Sequence, residues 1–200
     1  MSKVLYIKAN AKPEGESRTF KIADKFVEAY KKHHPQDEII TLDLYKEDIH
    51  FLTVEDVMVH MSNEVEEKDN AMKKYALQFK SADKYIFAEP MWNLGVPAIL
   101  KAYIDYVSIP NITFKYGENG PIGLCQGKKA LNVITSGGDY SEGMAAEWDL
   151  CDKYLKTIMG LFGVLDYTTI RASNLDVIGM DVDAIVNKAI KEAEELAKTF

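Results

Sequence analysis

The sequence predicts a single α/β domain over residues 1–200, built on one doubly wound, five-stranded parallel sheet with a β-hairpin insertion. Three observations predict it. Five short β-prone runs punctuate the chain, and the first four are continuously apolar rather than alternating, as strands covered on both faces of a parallel sheet are. Amphipathic helical stretches stand between them, and alternating strand and helix implies right-handed crossovers onto one open sheet. The length of 200 residues suits one domain, and an apolar share of 47% is enough to fill its core.

Each element has its own signature. The first strand is Val4-Leu5-Tyr6-Ile7. Phe20, Ala23, Val27 and Tyr30 then recur at three and four residues, with Ile22 and Phe26 widening the helical stripe. His33 and His34 close that helix, where a surface cation suits the dipole. Ile39–Leu42 is the second strand. Residues 45–70 break the rhythm with eight acids (Glu47, Asp48, Glu55, Asp56, Glu64, Glu66, Glu67 and Asp69) against Lys46 and Lys68, so almost the whole formal charge of −7 resides there. Ile49, Phe51, Leu52, Val54, Val57 and Met58 are mixed in, which predicts an ordered excursion with a solvated acidic face. Tyr85–Ala88 is the third strand, followed by a helix starting at Pro97 and carrying Ile99, Leu100, Tyr103, Ile104 and Val107. Asn119-Gly120, between short β-prone stretches within 112–123, signals a hairpin. Ala130–Ile134 is the fourth strand, and the next helix carries Met144, Trp148, Cys151, Leu155, Ile158 and Met159. Tyr167–Ile170 is the fifth strand, before a last helix with Val182, Ile185, Val186, Ala189, Ala193, Leu196 and Ala197. For five such strands the flavodoxin-like order 2-1-3-4-5 is the leading topology.

Composition excludes several functions. The acidic balance, with a pI near 5.2, argues against nucleic-acid binding. Cys125 and Cys151 are too few for a disulfide scaffold or a thiolate zinc site and read as buried, inert thiols. No metal site is expected, because the acids of 45–70 lack the spacing and glycine of a hard-cation loop. The N-terminus has no apolar signal region, and the apolar run Ile158–Leu165 is far shorter than a membrane span, so a soluble cytoplasmic protein is expected. There is no Gly-x-Gly-x-x-Gly after the first strand, no Walker A in the right place and no Gly-x-Ser-x-Gly elbow.

In a doubly wound sheet, ligands sit beyond the carboxyl ends of the strands where strand order reverses. The first loop there runs Asn10 to Thr19, with Ser17 placed to cap the helix and Arg18 and Thr19 in its first turn. Free N–H groups, hydroxyls and a guanidinium together suit a phosphate monoester. The loop after the third strand carries Met91-Trp92-Asn93-Leu94 between Pro90 and Pro97, an aromatic able to cover a planar ring beside backbone groups able to pair with its edge. The loop after the fourth strand carries Ser136-Gly137-Gly138, where paired glycines admit a ligand close to the backbone. A plain helix cap, a seam-filling Trp and an ordinary βα turn would each explain one loop. Together the three describe a pocket for a phosphorylated planar heterocycle, with non-covalent FMN the natural candidate.

The chain resembles the FMN-dependent NADH-azoreductase family, relatives of the flavodoxin-like NAD(P)H:quinone reductases. The likeness spans the whole chain. It is carried by Lys3-Val4-Leu5-Tyr6-Ile7, Pro90-Met91-Trp92-Asn93-Leu94, Thr113-Phe114-Lys115-Tyr116 with Glu118-Asn119-Gly120-Pro121, Gly137-Gly138-Asp139-Tyr140-Ser141, and the helix end Tyr154 to Gly163. The resemblance implies that Asn10, Ser17, Arg18 and Thr19 hold the ribityl phosphate. It places Met91, Trp92, Asn93 and Leu94 along the isoalloxazine edge, and Ser136, Gly137 and Gly138 on its pyrimidine side. It further implies NADH as electron donor, aromatic azo compounds and quinones as small-molecule acceptors, no catalytic side chain beyond the flavin, and ping-pong half-reactions. A homodimer with active sites at the subunit interface is implied as well, with the hairpin and residues 45–70 helping to build it. Phe114 and Tyr116 are expected to be exposed there. Two other readings of this fold fit less well. An electron-carrying flavodoxin module would have a compact Thr/Ser-rich phosphate loop, and a phospho-acceptor regulator would have acids where Lys8-Ala9-Asn10 stands.

Overall fold

The computed structural model describes residues 1–13, 15–61 and 71–200. In chain order these form β1 (Lys3–Lys8), α1 (Arg18–His33), β2 (Glu38–Asp43), α2 (Val54–Met61), α3 (Ala71–Ser81), β3 (Lys84–Pro90) and α4 (Ala98–Val107). They continue with β4 (Phe114–Gly117), β5 (Gly120–Gly123), β6 (Lys129–Thr135), α5 (Leu150–Phe162), β7 (Asp166–Ala172) and α6 (Val182–Leu196). The five-stranded sheet has the order β2-β1-β3-β6-β7, all parallel, with β4 and β5 forming a separate antiparallel hairpin. This is the expected 2-1-3-4-5 order, with the reversal between β1 and β3.

Two cores sandwich the sheet. Val4, Tyr6, Ile86, Leu131 and Val133 point to the side covered by α1 and α6, where Phe26 and Tyr30 pack on Phe200. Leu5, Ile7, Tyr85, Phe87 and Ala130 point to the other side, toward Tyr75, Phe79, Tyr103 and Leu155. The period-2 alternation of each strand divides its residues between these cores. β1, β3 and β6 are buried on both faces as expected. β2 is not, since Glu38 and Thr41 are exposed and Ile39 and Ile40 only half-buried. The reason is its edge position, where one side of the strand has no neighbour.

Several boundaries differ from the sequence expectation. Pro97 is the cap of α4 rather than its first helical residue, because its ψ of 141° is extended. The helix expected to begin near Met144 starts at Leu150. Asp149 interrupts it, its side chain accepting from the Asp152 N–H at 3.0 Å. Met144 and Trp148 lie on the preceding 3-10 turn, Gly143–Trp148, and are exposed rather than core. The hairpin pairs Gly117 with Gly120, so its turn residues are Glu118 and Asn119, and the left-handed residue is Gly120 at φ +116°. Neither Glu118 nor Asn119 has a positive φ, so this is not the mirror turn, and the pairing runs on from Gly120 with no extra residue in either strand. Phe114 is buried, not exposed. In the acidic excursion, Glu47 accepts from Tyr75 and Asp56 caps with Thr53, while Glu64, Glu66, Glu67, Lys68 and Asp69 lie outside the described residues, as does Glu14 of the first loop. Among the described residues no helix is long and apolar enough to cross a membrane, and no cluster of His, Cys, Asp and Glu has metal-site geometry. Both cysteines are buried and free.

Candidate active site

Four loops meet at the carboxyl edge of β1, β3, β6 and β7. The first is locked from within. Ser17 adopts extended backbone geometry and caps α1, its Oγ accepting from the Phe20 N–H at 3.1 Å and from Asn10 Nδ2 at 2.9 Å. Asn10 Oδ1 accepts from the Lys12 N–H at 3.0 Å, which folds the loop back on itself. Thr19 Oγ1 and Thr135 Oγ1 share a 2.6 Å hydrogen bond between α1 and the end of β6. The Arg18 and Thr19 N–H groups have no acceptor among the described residues, as the first turn of a helix dictates. Arg18 Nη1 donates to the Leu175 carbonyl at 3.0 Å and to Asp176 Oδ1 at 3.1 Å, which aims the guanidinium along the edge of the sheet.

The loop after β3 is a tight turn. Trp92 and Gly95 exchange backbone hydrogen bonds of 3.0 and 3.1 Å, and Asn93 and Leu94 between them have φ of +50° and +69°. Two consecutive positive φ values follow the mirror-turn pattern, and a leucine pays strain of about 1–3 kcal/mol to adopt one. Two hydrogen bonds hold the loop in place. Met91 N–H donates to the Thr135 carbonyl at 2.8 Å, and Leu150 N–H, at the start of α5, donates to the Leu94 carbonyl at 3.1 Å.

In the loop after β6, Ser136 Oγ donates to the Gly138 carbonyl at 2.7 Å. A Cβ on Gly137 would stand 2.6 Å from Asp176 Oδ2, so any side chain there would displace the Asp176 carboxylate that pairs with Arg18. The fourth loop, after β7, supplies Leu175 and Asp176 and is tied to Ser136, Gly137 and Gly138 by backbone hydrogen bonds.

These loops enclose a polar cavity of about 110 Å³, lined by Asn10, Lys12, Arg18, Thr19, Pro90, Met91, Trp92, Thr135, Ser136, Gly137, Leu175 and Asp176. Trp92 and Asn93 also border a larger, mainly apolar groove of about 780 Å³ that runs over Pro97, Lys101, Leu150 and Tyr154. Trp92 is 38% exposed, so it lines the site and does not fill a seam. Of the expected site residues, Asn10, Arg18, Thr19, Met91, Trp92, Ser136 and Gly137 share the polar cavity. Ser17 is fully buried beneath it as the helix cap, and Leu94 and Gly138 act through backbone carbonyls. Sequence reasoning missed Lys12, Thr135, Leu175 and Asp176. The signal for the last two was available, because the segment after the fifth strand ends on the same edge.

Behind the edge lies a half-buried polar cluster. Asp152 accepts from Asn132 Nδ2, Tyr167 Oη and Thr169 Oγ1, each at 2.9 Å, and from Arg171 Nη2 at 3.1 Å. Arg171 also pairs with Asp149 at 2.8 Å. Glu89, fully buried beside Cys151 and Asn132, is pushed up to about 8 by burial. Burial and the Glu89 carboxyl also raise the Cys151 thiol, which leaves it protonated and inert.

A family described by its flavodoxin-like fold matches residues 2–197. The FMN-dependent NADH:quinone oxidoreductase 2 of Clostridium acetobutylicum is 58% identical over the full length of both chains. The crystal structure of an azoreductase from Bacillus anthracis str. Sterne superposes with a TM-score of 0.91 at 36% identity, covering all of both chains. An FMN-dependent NADH-azoreductase from Bacillus anthracis str. Ames Ancestor, solved in complex with FMN, superposes at 0.88 with 30% identity and 98% of each chain covered.

Proposed function

The chain belongs to the flavodoxin-like FMN-dependent NADH:quinone oxidoreductase and azoreductase family and is an FMN-dependent oxidoreductase, and from that premise we propose that it oxidises NADH and reduces quinones and aromatic azo compounds in turn at one site. One observation carries the reading. A small polar cavity on a helix N-terminus opens, across a single tryptophan, into a large apolar groove. The residues present fit the cofactor. The cavity suits a tetrahedral anion, the Arg18 and Thr19 N–H groups, which have no acceptor among the described residues, and the Arg18 guanidinium suit its charge, and Gly137 keeps the approach clear.

Bound FMN would supply the two-electron chemistry between donor and acceptor. The protein's part is to hold and orient. Arg18, Thr19 and Asn10 would grip the phosphate and ribityl end, with Ser17 fixing the turn from below and Ser136 standing with the glycines of its own loop at the ring. Met91, Trp92, Asn93, Leu94, Gly137 and Gly138 would flank the ring. No side chain in the cavity is placed as a nucleophile, and the apolar groove excludes water from a planar acceptor.

Nicotinamide and acceptor both need contact at about 3–3.5 Å and would use the same groove, so the first product leaves before the acceptor enters. Initial-rate plots against NADH at several quinone concentrations are therefore expected to be parallel. Intersecting lines would mean a ternary complex and defeat the shared-site reading, and the absence of NADH oxidation with either acceptor class would defeat the function.

A homodimer belongs to the same proposal. Phe51 at 77%, Val54 at 75%, Met58 at 64% and Tyr116 at 76% exposure are more apolar surface than a monomer usually leaves open. Sedimentation is expected to give twice the chain mass of 22.6 kDa, and a monomer at micromolar concentration would contradict it.

A further inference from the structure

Glu89 is a buried carboxyl that the cofactor cavity does not use. It is fully buried at the end of β3, one residue before the Pro90–Gly95 loop, and among the described residues neither carboxylate oxygen has a partner at full hydrogen-bond geometry, although the Cys151 and Asn132 side chains face it closely enough to favour its charge slightly. Cys151 and Asn132 adjoin it, and Asn132 Oδ1 is also a buried acceptor without a donor. The groups facing Glu89 come from three elements. On α5 and its cap they are Asp149, Cys151, Asp152 and Tyr154; on β6, Asn132; on β7, Tyr167. Arg171 is the cation of this cluster, and it is already shared between Asp149 and Asp152. A proton on Glu89 thus gives a donor to a pocket furnished with acceptors, whereas a charge there would stand beside two carboxylates with no cation of its own.

The same helix end holds the substrate loop. Asp149 caps α5, Leu150 is its first residue, and the Leu150 N–H carries the Leu94 carbonyl. Leu94 sits at φ +69°, a conformation that persists only while its surroundings hold it. We propose that Glu89 is a positioning residue that, as a neutral carboxylic acid, seats the first turn of α5 and through the Leu150–Leu94 hydrogen bond fixes the Trp92–Gly95 turn, and that its ionisation releases that turn and opens the groove. Repulsion among Glu89, Asp149 and Asp152 moves the helix end, the tether is lost, and Trp92 leaves its place between the cavity and the groove. Burial raises Glu89 far enough for this to occur in mildly alkaline solution. The device does not depend on which acceptor the groove takes, nor on the order of substrates.

The protein labelled with 5-fluorotryptophan gives one fluorine resonance each from Trp92 and Trp148, assigned with Trp148→Phe. Between pH 6 and 9.5 the Trp92 resonance is expected to shift with a midpoint near 8. Glu89→Gln, which keeps the shape and the neutral state, is expected to hold that resonance at its low-pH position throughout. A Trp92 resonance that does not move in the native protein, or one that titrates equally in Glu89→Gln, overturns the proposal. Infrared difference spectra of the native protein give a test without any variant. A protonated-carboxyl band present at pH 7 and lost by pH 9.5 is expected, and its absence at pH 7 likewise overturns it.

Discussion

Asp152→Ala is expected to lower the stability of the protein by about 1.5–3 kcal/mol, the worth of hydrogen bonds to a charged group at a half-buried pair. The carboxylate is the hub of four donors on two strands. Asn132 on β6 and Tyr167, Thr169 and Arg171 on β7 all converge on it from α5. Truncation leaves several of these donors unpaired, and each carries a desolvation penalty of about 1–3 kcal/mol. Structural relaxation and access of water keep the total below their sum. Arg171 keeps Asp149, so the cluster does not lose its only anion. Asp152→Asn retains two acceptor lone pairs and should fall between the two. Urea denaturation followed by circular dichroism checks the ordering, and an Asp152→Ala midpoint equal to that of the native chain would show that the cluster contributes no stability.

Arg18→Ala is expected to weaken FMN binding by roughly 10- to 150-fold while leaving riboflavin binding nearly unchanged. A hydrogen bond to a charged oxygen is worth about 1.5–3 kcal/mol, and each 1.4 kcal/mol is tenfold in affinity. Riboflavin has the same ring without the phosphate, so the ratio of the two losses isolates the anion. Arg18 is well placed for such a test because Leu175 and Asp176 hold its guanidinium in a fixed direction and limit the entropy lost on binding. Titration calorimetry of the protein freed of flavin measures both constants. Equal losses for the two ligands would assign Arg18 to the ring end or to the structure alone.

Much of the fold was legible in the residues themselves. Continuous apolar runs such as Tyr85–Ala88 marked strands covered on both sides, and the spacing of Phe20, Ala23, Val27 and Tyr30 marked the buried face of α1. Periodicity is a local property, so it survives without knowledge of neighbours. The Ser17 cap was legible for the same reason, since its partner is Phe20, three residues away. The end of the helix expected to start near Met144 was less so, because Asp149 resets the helix through one local cap that the apolar spacing does not reveal.

The sequence by itself therefore determined the sheet, its order and the three loops that carry the site, since these follow from period, turn residues and the geometry of crossover connections. The tertiary structure alone decided what those residues do there. Ser17 could face a ligand or lie beneath the loop, and Asn10 took it inward. Phe114 could be an interface residue or core, and the packing of the hairpin on the α4 side of the sheet made it core. Arg18 gained its aim from Asp176, 158 residues away, and Glu89 gained its neutral state from burial against α5, which follows only after α4, the hairpin and β6. Burial and electrostatics are set by what surrounds a group in space, and no window of sequence contains that surrounding.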